Sequence, residues 1–167
     1  MLPEATYWIT KLGLTKHVEG GSYHQTYKAD LVIPQTVLPS TYHGDRYAST
    51  AIYFLLEQNE FSALHRIASD EVWHFYYGDA LVIYEIDTND VYTEHLLGNN
   101  PEKAEQFQCV IKAGSWFGAK VKTGGAYSLV GCTVAPGFDF ADFELAERRA
   151  LLHRYPQYAA LINMLTR

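Results

Sequence analysis

The sequence predicts an all-β fold of jelly-roll barrel type, with a short helix at the N-terminus and further helices at the C-terminus. Three observations carry that prediction. Between Thr50 and Val134 short apolar or alternating runs recur: Ala51–Leu56, Phe61–Ile67, Val72–Tyr77, Leu81–Ile86, Val91–Leu97, Phe107–Ile111, Trp116–Val121 and Tyr127–Val134. Turn-forming clusters such as Gly78-Asp79, Thr88-Asn89-Asp90, Gly98-Asn99-Asn100-Pro101 and Gly124-Gly125 separate them, at roughly the 8–12-residue spacing of sandwiches and barrels. The 13 Tyr, 8 Phe and 3 Trp suit the pleated surface of strands and the walls of ligand cavities.

The flanks read differently. From Glu4 to Leu12 the apolar residues Ala5, Trp8, Ile9 and Leu12 fall at helical spacing, and Gly13 supplies a stop. A short strand, Ser22 to Lys28, follows the Gly20-Gly21 pair. Next comes a long loop, Asp30 to Tyr47, carrying Pro34, Pro39 and Gly44 and expected to cover the barrel or to join a partner subunit. Beyond Pro136-Gly137 helical periodicity returns through Phe143, Leu145, Ala146, Ala150, Leu151 and Leu152, and again after Pro156 from Tyr158 to Leu165. Asp139 and Asp142 are expected to cap this C-terminal helix. The terminal helices are expected outside the barrel. With no linker and no repeat, the 167 residues predict one domain, 1–167.

Charge narrows the function classes. A net charge of −6 leaves no basic face to neutralise phosphates, so nucleic acid is not an expected partner. No run approaches the ~18 apolar residues of a membrane span, and the first residues lack a basic region followed by an apolar stretch. Cys109 and Cys132 are too few and too far apart for a disulfide framework and read as buried thiols. The expected location is the cytoplasm. No phosphate loop, dinucleotide fingerprint or Ser-His-Asp signature is present.

The chemistry concentrates between His65 and Gly78. A histidine inside the apolar run Phe61–Ile67, and a glutamate opening the next strand, are costly to bury unless partnered. Antiparallel neighbours hold opposed side chains ~5 Å apart, so His65 and Glu71 are expected to share a cavity. Strand alternation gives Trp73, Phe75 and Tyr77 the same inward face as Glu71, as an aromatic ligand wall or as plain core. The same alternation sends His74 outward. Tyr53 and Tyr84, on neighbouring strands, are candidate proton donors. Trp116 and Phe117 are further candidate ligand contacts. Glu19, beside Gly20-Gly21, is another.

His65, Glu71 and Gly78 also resemble the first motif of the cupin superfamily, in which His-x-His is followed by three or four residues, Glu, six residues and Gly. Ile67 stands in place of the second His, and Lys112-Ala113-Gly114-Ser115-Trp116-Phe117 puts Phe117 where the second cupin motif has its His. The resemblance implies a metal site, but with two of its four ligands replaced. The expectation is therefore a pocket without metal, a divalent ion being reserved for an arrangement of His65, Glu71 and a His74 brought in by a bulge.

A closer resemblance runs through Glu19–Tyr23, Ser62–Arg66, Asp70–Tyr76 and Gly131–Phe138. The chain looks like the fifth cupin family, small jelly-roll proteins similar in fold to dTDP-4-dehydrorhamnose 3,5-epimerase. That implies a homodimer or higher homo-oligomer and a small polar ligand such as a sugar or nucleotide sugar. The functional expectation is a metal-independent epimerase or isomerase, with His65 as base, Glu71 orienting it and Tyr53 or Tyr84 as acid. The alternatives are a ligand-binding module without catalysis and a metal-dependent cupin enzyme such as an oxygenase.

Overall fold

The computed structural model describes residues 4–167. In chain order its elements are α1 (Ala5–Lys11), β1 (Thr15–Lys16), β2 (Ser22–Lys28), β3 (Val32–Ile33), β4 (Arg46–Tyr47), β5 (Thr50–Glu57), β6 (Ser62–Arg66) and β7 (Asp70–Gly78). They continue with β8 (Leu81–Ile86), β9 (Tyr92–Leu97), β10 (Gln108–Ile111), β11 (Trp116–Val121), β12 (Tyr127–Ala135), β13 (Glu144–Leu145), α2 (Arg148–Arg154) and α3 (Ala159–Leu165).

Two antiparallel sheets face each other. One has the order β1-β2-β5-β12-β7-β10, the other β13-β6-β11-β8-β9. Strands distant in sequence lie side by side, the jelly-roll arrangement that leaves few open edges. Alternation sends Phe54, Leu56, Trp73, Ile83, Phe117 and Val130 into one shared core between the sheets. Each large apolar side chain fully buried there stabilises the fold by about 1.5–3 kcal/mol.

The helices cover the outer faces. Trp8, Ile9 and Leu12 of the N-terminal segment lie on Leu14, Leu55, Tyr127 and Leu129, and the Trp8 indole N–H donates to the Tyr127 hydroxyl at 3.0 Å. Leu151, Leu161, Ile162 and Leu165 lie on Leu64, Ile86 and Trp116. The second sheet is thus apolar on both faces, and its strands read as near-continuous hydrophobic runs. No helix among the described residues is long and apolar enough to cross a membrane.

The caps differ from expectation. Asp139 caps a single 3-10 turn, Phe140–Asp142, by accepting from the Ala141 N–H at 2.8 Å. The chain then runs through β13, which pairs with β6, so the helix begins later and Glu147 caps it by accepting from Arg149 and Ala150. Asp142 instead receives the Arg46 guanidinium, Nε to Oδ2 at 2.6 Å, with both side chains almost wholly buried. This fork ties the long loop to the segment carrying Phe138 and Phe140. The Tyr42 hydroxyl, 3.0 Å from Ser69 Oγ, ties the same loop to the turn before β7.

Three bulges break the period-two pattern. Between β6 and β11 the pairs are Phe117 with His65 and Ala119 with Ser62, so two residues of β6 oppose Gly118. Phe117 and Ala119 both belong to the inner core, and their partners His65 and Ser62 therefore both face inward although three residues apart. On β7 the register shifts at Tyr76: Phe75 pairs with Val130 and Tyr77 with Leu129. On β2 it shifts at Thr26.

Removing one partner of the Arg46–Asp142 pair leaves the other charge buried and bare. Arg46→Ala is expected to lower unfolding free energy by about 3–5 kcal/mol, whereas Arg46→Met with Asp142→Leu costs much less. Denaturant midpoints of the two variants check this, and equal losses contradict it.

Candidate functional site

Glu19 is the polar centre of the barrel interior. Gly20 and Gly21 adopt φ of +116° and +72°, and a Cβ at Gly20 would sit 2.0 Å from the Phe61 carbonyl oxygen. Only glycine allows this close crossing. It presses the Glu19 backbone onto β6, where the Ala63 N–H donates to the Glu19 carbonyl at 2.8 Å. The side chain turns inward. Ser62 Oγ donates to its Oε1 at 2.9 Å, and His65 Nε2 lies 3.4 Å from its Oε2. The β6 bulge allows Ser62 and His65 to reach the same carboxylate.

The His65 ring is fixed on both sides. Nδ1 lies 2.7 Å from the Ala63 carbonyl oxygen, which only accepts, so Nδ1 carries the proton. Nε2 is left as the basic nitrogen. The ring packs against Phe117 and Phe143 at centroid separations of 4.2 and 5.3 Å. At 3.4 Å the Glu19 carboxylate is beyond a strong charge-assisted hydrogen bond, yet near enough to stabilise an imidazolium formed at Nε2.

His65, Glu19 and Glu71 line one cavity of about 170 Å³, together with His17 and Cys132. Burial pushes the Glu71 carboxyl up to about 8; the Glu19 charge adds to that rise and a hydrogen bond with the Cys132 thiol opposes it. Glu71 is therefore largely protonated at neutral pH. Burial likewise raises Cys132 and lifts Cys109 to about 12, so both thiols stay protonated. The Glu19 N–H donates to His17 Nδ1 at 3.3 Å. His17 is thus neutral at Nδ1, in line with the downward shift that burial imposes on it. Tyr23 and Gln25 from β2 add polar groups, and Ile52, Val134, Phe138 and Phe140 complete the wall.

Of the residues singled out in the sequence, His65, Glu71 and Glu19 come together here. Phe117 stands behind His65, and Trp73 and Phe75 fill the core beside the cavity rather than line it. Tyr77 faces the other way, because the Tyr76 bulge reverses its parity and places it with Leu129. Tyr53 packs in that outer cluster too. Tyr84 and Trp116 lie under the C-terminal helices. His74 is on the outer face of β7, where its Nδ1 accepts from Gln108 and its Nε2 lies 3.1 Å from Thr133 Oγ1.

Tyr23, not Tyr53 or Tyr84, is the tyrosine in the cavity, and His17 was not singled out at all. The signal for both was the alternation His17, Glu19 and Tyr23, Gln25 around the glycine pair. A larger hollow of about 840 Å³ lies on the opposite surface between the start of α1 and the Gly78-Asp79 turn. Its lining includes Glu4, Glu57 and Asp79 but no histidine to serve as a base beside them.

The cupin metal is a poor fit to these donors. Ile67 and Phe117, at two of the ligand positions, are packed carbon side chains. His74 is on the wrong face. Among the described residues no group of three or more His, Cys, Asp or Glu side chains is arranged to hold a metal ion.

Known proteins agree with the fold. The chain is similar over 98% of its length to 99% of a hypothetical protein from Leishmania major, at 35% identity and a TM-score of 0.90. It is similar over 99% of both chains to a protein from Shewanella oneidensis, at 38% identity and a TM-score of 0.88. A cupin 2 domain-containing protein from Halorhodospira halophila shares the fold at 13% identity, with a TM-score of 0.55, over 92% of this chain and 87% of that one. No curated protein sequence matches the chain. Residues 6–146 match the family model described as Cupin superfamily (DUF985). The chain belongs to that family, the fifth of the cupins.

Proposed function

We propose that the protein binds a compact, sugar-like carbonyl compound in the inner cavity and moves protons on it without a metal, as an isomerase or epimerase. The observation that supports this is the pairing, in one cavity, of a histidine whose Nδ1 proton is held by a carbonyl, so that Nε2 beside Glu19 is its basic nitrogen, and a carboxyl that stays protonated at neutral pH. Environments that push two titratable groups towards opposite roles mark an acid and a base.

The step balances as an enolisation. His65 Nε2 takes the proton from the carbon next to the carbonyl, and the resulting imidazolium is held by the Glu19 carboxylate. The Glu71 O–H gives its proton to the carbonyl oxygen, which leaves a neutral enol and a carboxylate. Return of the His65 proton to the former carbonyl carbon, while the Glu71 carboxylate takes the proton of the hydroxyl on the neighbouring carbon, isomerises a ligand that carries such a hydroxyl and restores both residues. Delivery of a proton from the Tyr23 hydroxyl to the opposite face of the same carbon, with the enol O–H proton returned to the Glu71 carboxylate, epimerises it; the imidazolium then passes its proton through solvent to the Tyr23 phenolate. A volume of about 170 Å³ is below the roughly 300–1,000 Å³ of drug-sized pockets, so the cavity suits a single small ring or chain. A nucleotide portion of a ligand would lie outside it.

Incubation with compact aldoses and ketoses in D2O, followed by NMR, is expected to show deuterium entering next to the carbonyl. His65→Ala and Glu71→Gln should each slow this about 10²–10⁴-fold. The rate should fall as pH rises through about 8, where Glu71 loses its proton. Binding with no exchange would make the protein a ligand-binding module, and exchange that survives in His65→Ala would refute the mechanism.

The same carboxyl governs stability. Unfolded, Glu71 ionises near the ordinary 4.5; folded, it keeps its proton to about 8. Between those values the folded form binds the extra proton, so stability falls as pH rises, by on the order of a few kcal/mol in total. Glu71→Gln is expected to flatten that decline between pH 5 and 8, as read by denaturant unfolding. An unchanged slope contradicts the protonated state.

A further inference from the structure

We infer that the ligand carries an amino group, bound in the inner cavity as an ammonium beside the Glu19 and Glu71 carboxyls and against the aromatic rings of its wall. The inference rests on the small-molecule reading above and names the class of molecule. Two independent features support it.

The first is the balance of charge. The cavity wall holds two carboxyl groups, from the turn before β2 and from β7, and no Lys or Arg. Its basic groups are the imidazoles of His17 and His65, and the proton-bearing Nδ1 of His65 is already given to the Ala63 carbonyl. The Arg46 guanidinium, tied to the segment carrying Phe138 and Phe140, is matched by Asp142. The charge acting on Glu71 is the repulsion of Glu19. A carboxylate or phosphate entering here would meet the Glu19 carboxylate with no Lys or Arg to offset it. An ammonium entering here is offset by the Glu19 carboxylate, and Glu71, which keeps its proton, adds a carbonyl oxygen that accepts from it.

The second is the aromatic part of the cavity wall. Tyr23, Phe138 and Phe140 line the cavity, and Phe140 lies nearly parallel to the His17 ring, 20° between planes at 6.1 Å. Phe140 is also 55% exposed although it is a large apolar ring. Aromatic rings beside carboxylates form the recognised chemistry for organic cations, since the negative ring faces attract the charge while the carbon surface matches the methylenes around it. An exposed ring at the mouth gains a partner when such a ligand enters.

The test compares three sugars of one size, glucosamine, glucose and glucuronate, by calorimetric or NMR titration at pH 7. Glucosamine is expected to bind at least 10-fold more tightly than glucose, and glucuronate more weakly than either. N-acetylation of the amine, which removes its charge, should abolish the preference. Glu19→Gln should equalise glucosamine and glucose; because that variant removes a buried hydrogen-bonded group, Phe140→Ala, at an exposed position, provides a second reading and should weaken glucosamine at least 5-fold. Glucose or glucuronate binding as tightly as glucosamine overturns the ammonium assignment and leaves the sugar site standing. Failure of all three to bind overturns both.

Discussion

A carboxylate taken out of water must find partners inside the protein, and Glu19 finds them in β6. Burying an ion costs several kcal/mol unless hydrogen bonds and opposite charge replace its hydration. Ser62 Oγ donates to it, and the His65 ring beside it becomes its opposite charge when Nε2 takes a proton. Neither could act without the bulge opposite Gly118, since regular alternation would turn one of the two outward. A Cβ at Gly118 would approach the Ser62 carbonyl oxygen to 2.6 Å, so the glycine makes room for the bulge. Gly20 makes the matching approach on the other side. Two glycines and one extra residue therefore set where the charge sits, and the cavity forms around it.

From that placement follows the division of labour between the carboxyls. Glu19 has a hydroxyl donor and an imidazole beside it, whereas Glu71 has a thiol and a like charge. Two such groups in one small cavity cannot both ionise cheaply, and the one with poorer partners keeps its proton. The β-sheet framework holds both on rigid elements, and the Arg46–Asp142 fork fixes the segment carrying Phe138 and Phe140 over them. The proposed acid–base pair fits a cupin pattern in which Ile67 and Phe117 stand at two ligand positions.

Much of the fold was legible in the sequence because apolar alternation and turn residues report strands directly. Ser22–Lys28 and Leu81–Ile86 have the bounds read from the pattern. The orientation of individual side chains was less legible. A bulge adds one residue with no signature of its own, so Tyr77 appeared to share a face with Glu71 until the shift at Tyr76 separated them. Tyr84 and Trp116 lie in a sheet covered on both faces, where inward and outward residues are equally apolar and phase cannot be read. His65 and Glu71 stood out because charge in an apolar strand is rare. His17 and Tyr23 did not, since the strand edge and turn that carry them look like ordinary surface until β6 and β12 close over them.

The central claim is that Glu71 is a neutral acid at physiological pH. Carbon-13 NMR of the glutamate side-chain carboxyls reads this directly, with the Glu71 resonance assigned by its loss in Glu71→Gln. A titration midpoint near 8 is the predicted result. A midpoint in the ordinary range near 4.5 would mean that two charges share the cavity, and the acid–base account would be contradicted.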